Sequence, residues 1–476
     1  MRPPSQPQPQ PIERAELLAR LRARQPWDAV IVGGGATGLG LAVDAAARGL
    51  RVALIEARDF GSGTSSRSTK LIHGGVRYLA QGNVKLVREA LAERAILLKI
   101  APHVVHPLEF VVPCYRPLER PWLRAGLGAY DLLAGRRSIG PTQWLSRGQT
   151  LARLPGIRAE GLRGGVSYWD AQFDDALMCI ALMQTAFALG ATPINYVRCA
   201  GLRLRDGRIA AVRAVDAETG EAFELATDCV FNAAGVWVDG VRRLADPGAR
   251  RLVTVSQGSH LVIDRDFLPG SAALMIPRTA DGRVLFAIPW LESVLLGTTD
   301  QPRQDAPWDP HPSHEEIEFI LDTARGYLAR PIATADVRAS FAGLRPLFDP
   351  RGAGKTAAIS REHAVLTEFG NLISIVGGKW TTYRRMAADA MAAAVRARLL
   401  SAPPAATEDL PLVVDRVLVG ARRAPPDAAF VEHCRRFTQA RTDEDLLYRR
   451  TRLGMLDAAR VRDFASTSTA SYDAVP

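Results

Sequence analysis

A chain of 476 residues with 47% hydrophobic content and a mean hydropathy of −0.02 has the composition of a globular protein of about three domains with a sizeable core. Its formal charge of +10 comes from basic residues spread along the whole length, without aromatic interleaving or a nucleic-acid motif; this excludes nucleic acid as a partner and favours an anionic substrate or a membrane surface. Five scattered cysteines, Cys114, Cys179, Cys199, Cys229 and Cys434, lack C-x-x-C spacing, which points to reduced thiols in a cytosolic setting and to no metal site.

Met1 to Pro11 is rich in proline and glutamine and reads as a disordered tail, followed by a short basic amphipathic helix over 12–24. No apolar h-region or cleavage site follows the start, so a secretory signal is not expected. Ala29-Val30-Ile31-Val32 is then a short apolar strand. Gly33-Gly34-Gly35-Ala36-Thr37-Gly38 fits G-x-G-x-x-G, Leu39 to Arg48 has helical periodicity, and Val52-Ala53-Leu54-Ile55 returns as a strand closed by Glu56. Glycines let the backbone turn tightly against a pyrophosphate, the helix N-terminus offers free N–H groups, and Glu56 can accept from a ribose hydroxyl. The whole βαβ unit with its acid predicts a dinucleotide site.

The run from Gly61 to Gly75 is polar and punctuated by glycine. The hydroxyls and amides of Thr64, Ser65 and Ser66 suit phosphates and a flavin ring edge, and Lys70 places a cation near them. A solvated linker would bury Leu71, Ile72 and Val76 poorly. Ala176 to Ala188 is too short to span a bilayer and reads as a buried helix. Arg205-Asp206-Gly207-Arg208 and Glu218-Thr219-Gly220-Glu221 carry turn chemistry and predict a small meander. Two more strand-to-glycine junctions follow, Val230-Phe231-Asn232 up to Gly235 and Leu372-Ile373-Ser374-Ile375-Val376 up to Gly377-Gly378. Three such junctions predict one sheet assembled from separated segments, with the cofactor at its carboxyl edge.

The motifs also carry a family resemblance. Gly33 through Thr64-Ser65-Ser66 to Lys70-Leu71-Ile72-His73-Gly74-Gly75-Val76-Arg77-Tyr78-Leu79 resembles the FAD-dependent, membrane-associated glycerol-3-phosphate dehydrogenases, the aerobic quinone-linked type. Asp174-Asp175-Ala176, Gly258-Ser259-His260, Gly297-Thr298-Thr299-Asp300, Gly343-Leu344-Arg345-Pro346-Leu347 and Gly377-Gly378-Lys379 follow in that family's order, within a match over about residues 27–395. The resemblance implies an α/β fold: an FAD-binding Rossmann-like domain of the glutathione-reductase/D-amino-acid-oxidase type, an antiparallel-sheet substrate domain and a short helical C-terminal cap. The expected division is a tail at 1–26, an FAD domain from 27–80, 160–250 and 340–395, a substrate domain from 81–159 and 251–339, and the cap at 396–476. The cap is shorter than that family's usual one, which leaves membrane docking and a homodimer contact open.

Oxidising an alcohol at a flavin requires a held carbinol, a proton acceptor and cations for an anionic substrate. The resemblance assigns His260 as the acceptor, with Arg345 and Lys379 beside it. It places Arg77, Tyr78, Arg345, Arg361 and Thr382 on the substrate. FAD is expected on Gly33, Gly35, Gly38, Glu56, Thr64, Ser65, Ser66, Lys70, Leu71, His73, Gly74, Gly75, Gly235, Gly378 and Lys379, with His73 either supporting the flavin loop or purely structural. The implied reaction is sn-glycerol 3-phosphate to dihydroxyacetone phosphate, with a quinone or oxygen as acceptor. The implied place is the cytoplasm, peripheral on the inner face of the cytoplasmic membrane. The residues alone leave open a flavoenzyme for another hydroxy acid or amine, or a catalytically silent flavin-binding partner.

Overall fold

In the computed structural model, which describes residues 7–75, 79, 82–117, 119–279, 281–350, 362–420 and 425–467, the apolar strand Ala29–Val32 is buried throughout. It pairs in parallel with Val52–Ile55 on one side and Val230–Asn232 on the other, and Val230–Asn232 pairs in parallel with Leu372–Gly377. The three glycine-ended strands are therefore neighbours in one six-stranded sheet. Continuous apolar runs form these strands because the sheet is buried on both faces. The helices Ala36–Ala47, Asp175–Ala188 and Tyr383–Arg396 pack together against it. The expected meander is present as Val197–Arg205, Arg208–Asp216 and Ala222–Ala226, antiparallel and sharing that core.

A second sheet of ten strands is largely antiparallel and carries its own apolar clusters. Its long strand Val253–Asp264 pairs antiparallel with Val337–Phe348, setting Ser256 opposite Arg345, Gly258 opposite Gly343 and His260 opposite Phe341. Side chains alternate faces along a strand, so these three pairs point the same way.

Two expectations need correction. Leu71–Ile72, Gly164–Phe173 and Val337–Phe348 belong to the second sheet, although the first two and the third from residue 340 onward fall in the stretches assigned to the FAD domain. The chain crosses between sheets at the ends of these strands, and apolar patterning does not reveal which sheet a strand joins. The short helix expected over 12–24 is present, but this stretch is packed into the core and is not a loose tail. Arg14–Arg22 is helical, Ile12, Leu17 and Leu21 are buried in the main core, and Arg14 bonds the Asn195 carbonyl at 2.8 Å and Asp216 at 2.7 Å.

The C-terminal segment is built into the body of the molecule. A π-helical turn over Asp445–Arg450 and a short helix over Leu453–Leu456 bring Arg449, Arg450 and Arg452 inside. Arg450 Nη1 and Nη2 reach the Asp59 carboxylate at 2.6 and 2.9 Å, and Arg449 Nε bonds it at 2.5 Å. Arg452 donates to Asp175.

Candidate active site

At the carboxyl ends of the three parallel strands lies a cavity of about 430 Å³, lined by Gly33, Gly35, Glu56, Thr64, Ser65 and Gly235 among others. Gly33 has φ +109°, and a Cβ there would stand 2.7 Å from the Ala233 carbonyl oxygen; only glycine permits that crossing. Gly38 does not line the cavity. Its place is structural, since a Cβ would come within 1.9 Å of the Gly33 carbonyl oxygen and prevent helix and turn from closing together. The helix Ala36–Ala47 begins at this cavity with no capping side chain on Gly35. The Glu56 carboxylate accepts from Gly34 N–H at 2.5 Å and Arg58 N–H at 2.9 Å, and burial pushes its pKa up.

The loop over it is pinned at several points. Ser65 Oγ accepts from Ala36 N–H at 3.0 Å, Trp380 Nε1 donates to the Ser65 carbonyl at 2.7 Å, and Thr64 Oγ1 donates to the Leu344 carbonyl at 2.6 Å. At Gly235, where φ is +59°, a Cβ would meet nothing within 4 Å, leaving room for a bulky group. A helix N-terminus at the cavity, a half-buried carboxylate at the end of the second strand and open glycine backbone together fit a dinucleotide.

A second cavity of about 310 Å³ adjoins the first, and Thr64, Pro346, Gly378, Lys379 and Trp380 line both. It holds His260, Arg345, Leu71, His73 and Gly75, together with Thr69, Arg283, Asp300 and Thr381. Arg345 donates to the Thr299 carbonyl at 3.0 Å and Thr298 Oγ1 at 3.1 Å, and lies 3.5 Å from Asp300. Its guanidinium occupies the space over Gly258, where a Cβ would stand 2.1 Å from Nη2. His260 is buried, stacked on Phe341 at 4.9 Å, and its Nε2 shares a 2.9 Å hydrogen bond with Thr69 Oγ1. Burial, and then the charges of Lys70 and Arg345, hold its pKa well below the usual value, so the ring is neutral and able to accept a proton.

Several predicted site residues stand elsewhere. Lys70 faces away from both cavities: fully buried at φ +61°, its ammonium bonds Asp175 at 2.8 and 2.9 Å and the Ser66 carbonyl at 2.6 Å. A buried ammonium needs such acceptors more than a loosely held phosphate, and burial brings its pKa down to about 7. Ser66 is buried and lines neither cavity. Gly74 serves through its amide, which bonds Tyr130 Oη at 2.9 Å and Asp170 at 3.2 Å. Thr382 is turned back to the Lys379 carbonyl at 3.3 Å, and its neighbour Thr381 lines the cavity instead. Arg77, Tyr78 and Arg361 lie outside the described residues. Reading the sequence missed Thr69, although it sits inside the quoted loop, and Arg283, whose Asp281-Gly282-Arg283 turn carries no signal of a site.

Comparison with known proteins settles the family. The model of the family described as FAD dependent oxidoreductase matches residues 28–384. The chain belongs to the FAD-dependent oxidoreductases. Among its relatives in this family are the proteins named mitochondrial glycerol-3-phosphate dehydrogenase of Macaca fascicularis and Homo sapiens, each 42% identical over 417 residues, 84% of this chain. The chain spans 57% of the length of those relatives. The glycerol-3-phosphate dehydrogenase of Bacillus halodurans, solved with FAD, superposes with a TM-score of 0.75 at 27% identity, covering 95% of this chain and 91% of the other. An L-alpha-glycerophosphate oxidase of Mycoplasma pneumoniae shares the fold at a TM-score of 0.63 and 17% identity.

Proposed function

We propose that this FAD-dependent oxidoreductase oxidises sn-glycerol 3-phosphate to dihydroxyacetone phosphate and passes the electrons to a quinone. The observation that carries the reading is one cavity holding a neutral buried histidine and the Arg345 guanidinium, opening onto the glycine-lined dinucleotide cavity. FAD, when bound, supplies the acceptor for the hydride leaving the carbinol carbon. The chain's own residues do the rest. Arg345, with Arg283 and Lys379 lining the same space, binds the phosphate, and a planar guanidinium suits its oxygens bidentately. His260 receives the hydroxyl proton. A phosphate dianion seated at Arg345 offsets the positive field that depresses His260, so binding the substrate itself raises the basicity of the acceptor.

Anaerobic addition of glycerol 3-phosphate is expected to bleach the bound flavin, whereas glycerol and lactate, which lack the phosphate, leave it yellow. Equal bleaching by all three rejects the phosphate-ester reading. Reoxidation with a short-chain quinone and with oxygen identifies the acceptor, the quinone being expected to react faster.

No described helix is long and apolar enough to cross a membrane. Quinone access is proposed to come through peripheral contact on the cytoplasmic face. The helix Glu119–Ala134 supports this, with Leu132 83% exposed and the exposed Arg136 and Arg137 following it. Co-sedimentation with anionic but not neutral vesicles, lost at high salt, is the expected behaviour.

A further inference from the structure

One of the two ring nitrogens of His260 is already engaged. Nε2 and Thr69 Oγ1 are hydrogen-bonded at 2.9 Å, and Nδ1 is buried with no hydrogen-bond partner among the described residues. Thr69 and His260 line the same cavity, so a substrate hydroxyl there can meet the Thr69 hydroxyl that already contacts the ring.

Thr69 is also held more firmly than an ordinary loop residue. Its two neighbours are clamped to one carboxylate. Ser68 gives its N–H and hydroxyl to Asp175 at 3.1 and 2.7 Å, and Lys70 gives its ammonium to both oxygens of the same group. Ser68 Oγ further accepts from Lys70 N–H at 3.0 Å, closing the arch beneath Thr69. On the other side His260 is fixed by stacking on Phe341, whose ring centroid lies 5.0 Å from Lys70 Nζ. Hydroxyl and imidazole are thus both preorganised, which is what a short proton path requires.

We propose that Thr69 is a further catalytic residue, a relay whose hydroxyl carries the proton from the substrate alcohol to His260. The inference rests on the reading of His260 as the proton acceptor. The substrate O–H proton passes to Thr69 Oγ1 while the proton of Thr69 passes to His260 Nε2. Thr69 ends neutral, the imidazole gains one proton, and the hydride of the same carbinol leaves to FAD. The tautomer required has its proton on Nδ1, with Thr69 donating to Nε2.

The test is anaerobic single-turnover bleaching of the FAD-loaded enzyme by glycerol 3-phosphate, in wild type and in T69V, T69S and H260N. A positioned proton-transfer group contributes about 100- to 10,000-fold, so T69V is expected to slow bleaching by about 100-fold or more, with the half-saturating substrate concentration little changed. T69S, which keeps the hydroxyl, is expected within a few-fold of wild type. Fast bleaching in T69V beside slow bleaching in H260N overturns the relay and leaves His260 as acceptor. Equal slowing in T69V and T69S also overturns it, since the hydroxyl is then not what matters. Fast bleaching in all three variants instead removes the role of His260. On the wild-type enzyme, the bleaching rate plotted against deuterium fraction is expected to be curved, from two protons in flight; a straight line overturns the relay without any variant.

Discussion

His260 is worth following through a change of pH. Burial and two nearby cations keep its folded pKa below the ordinary 6.5, whereas the unfolded chain titrates near that value. Below pH of about 6.5 the unfolded state binds a proton that the folded state refuses, so folding stability falls as pH falls, by up to about 1.4 kcal/mol per pH unit until the folded pKa is reached. H260N should flatten that part of a denaturation series; an unchanged slope means the folded ring is not held neutral. In kinetics, the acid limb of kcat/KM should lie below 6.5, and the limb of kcat should lie higher, because the bound phosphate offsets Arg345. Gly258 offers a second test. An added methyl there meets the flexible far end of Arg345 and pushes the guanidinium off its Thr298 and Thr299 partners, so G258A should raise KM for glycerol 3-phosphate about tenfold or more while leaving FAD content and thermal stability near wild type. Loss of FAD instead would mean that Gly258 supports the fold more than it makes room for the guanidinium.

Elements were unevenly legible in the sequence. The βαβ unit from Ala29 to Glu56 could be read because its strands, glycines and acid are contiguous and each follows from local chemistry. Gly38 shows how tight that unit is: G38A should abolish FAD retention through gel filtration, since the Gly33 carbonyl is backbone and cannot yield about 1 Å or more to a methyl. Retained flavin in G38A would show that the turn can open. The assignment of Gly164–Phe173 and Val337–Phe348 to the second sheet was not legible, because pairing across long separations depends on partners that periodicity does not name. Lys70 is a similar case. A cation in a glycine-rich loop suits a phosphate, and only the tertiary position of Asp175 turns it inward. His260 and Arg345 were singled out through their motifs, but their convergence depends on the register that sets His260 opposite Phe341 and Arg345 opposite Ser256.

Across the whole molecule, two sheets and a late segment meet around one buried set of charges. Burial pushes the Asp59 carboxyl up, but Arg450 and Arg449 outweigh it and hold its pKa below the ordinary carboxylate value. Removing one partner of a buried pair costs about 3–5 kcal/mol, so R450M should lower the melting temperature by several degrees. Because the Asp59 loop lies between Glu56 and Gly61 on the cofactor cavity, the same variant should also release FAD faster. A melting temperature within about 1 °C of wild type would show that Arg449 alone satisfies Asp59.

Asp59 and the arginines that neutralise it are separated by 390 and 391 positions along the chain. On a ribosome adding roughly 5–20 residues per second, the carboxylate waits about 20–80 s for its counterions. The third strand of the nucleotide cradle, Leu372–Gly377, and both arginines come late in the chain, so the cradle stays unsealed, and uptake of FAD waits, until residue 450 has been made.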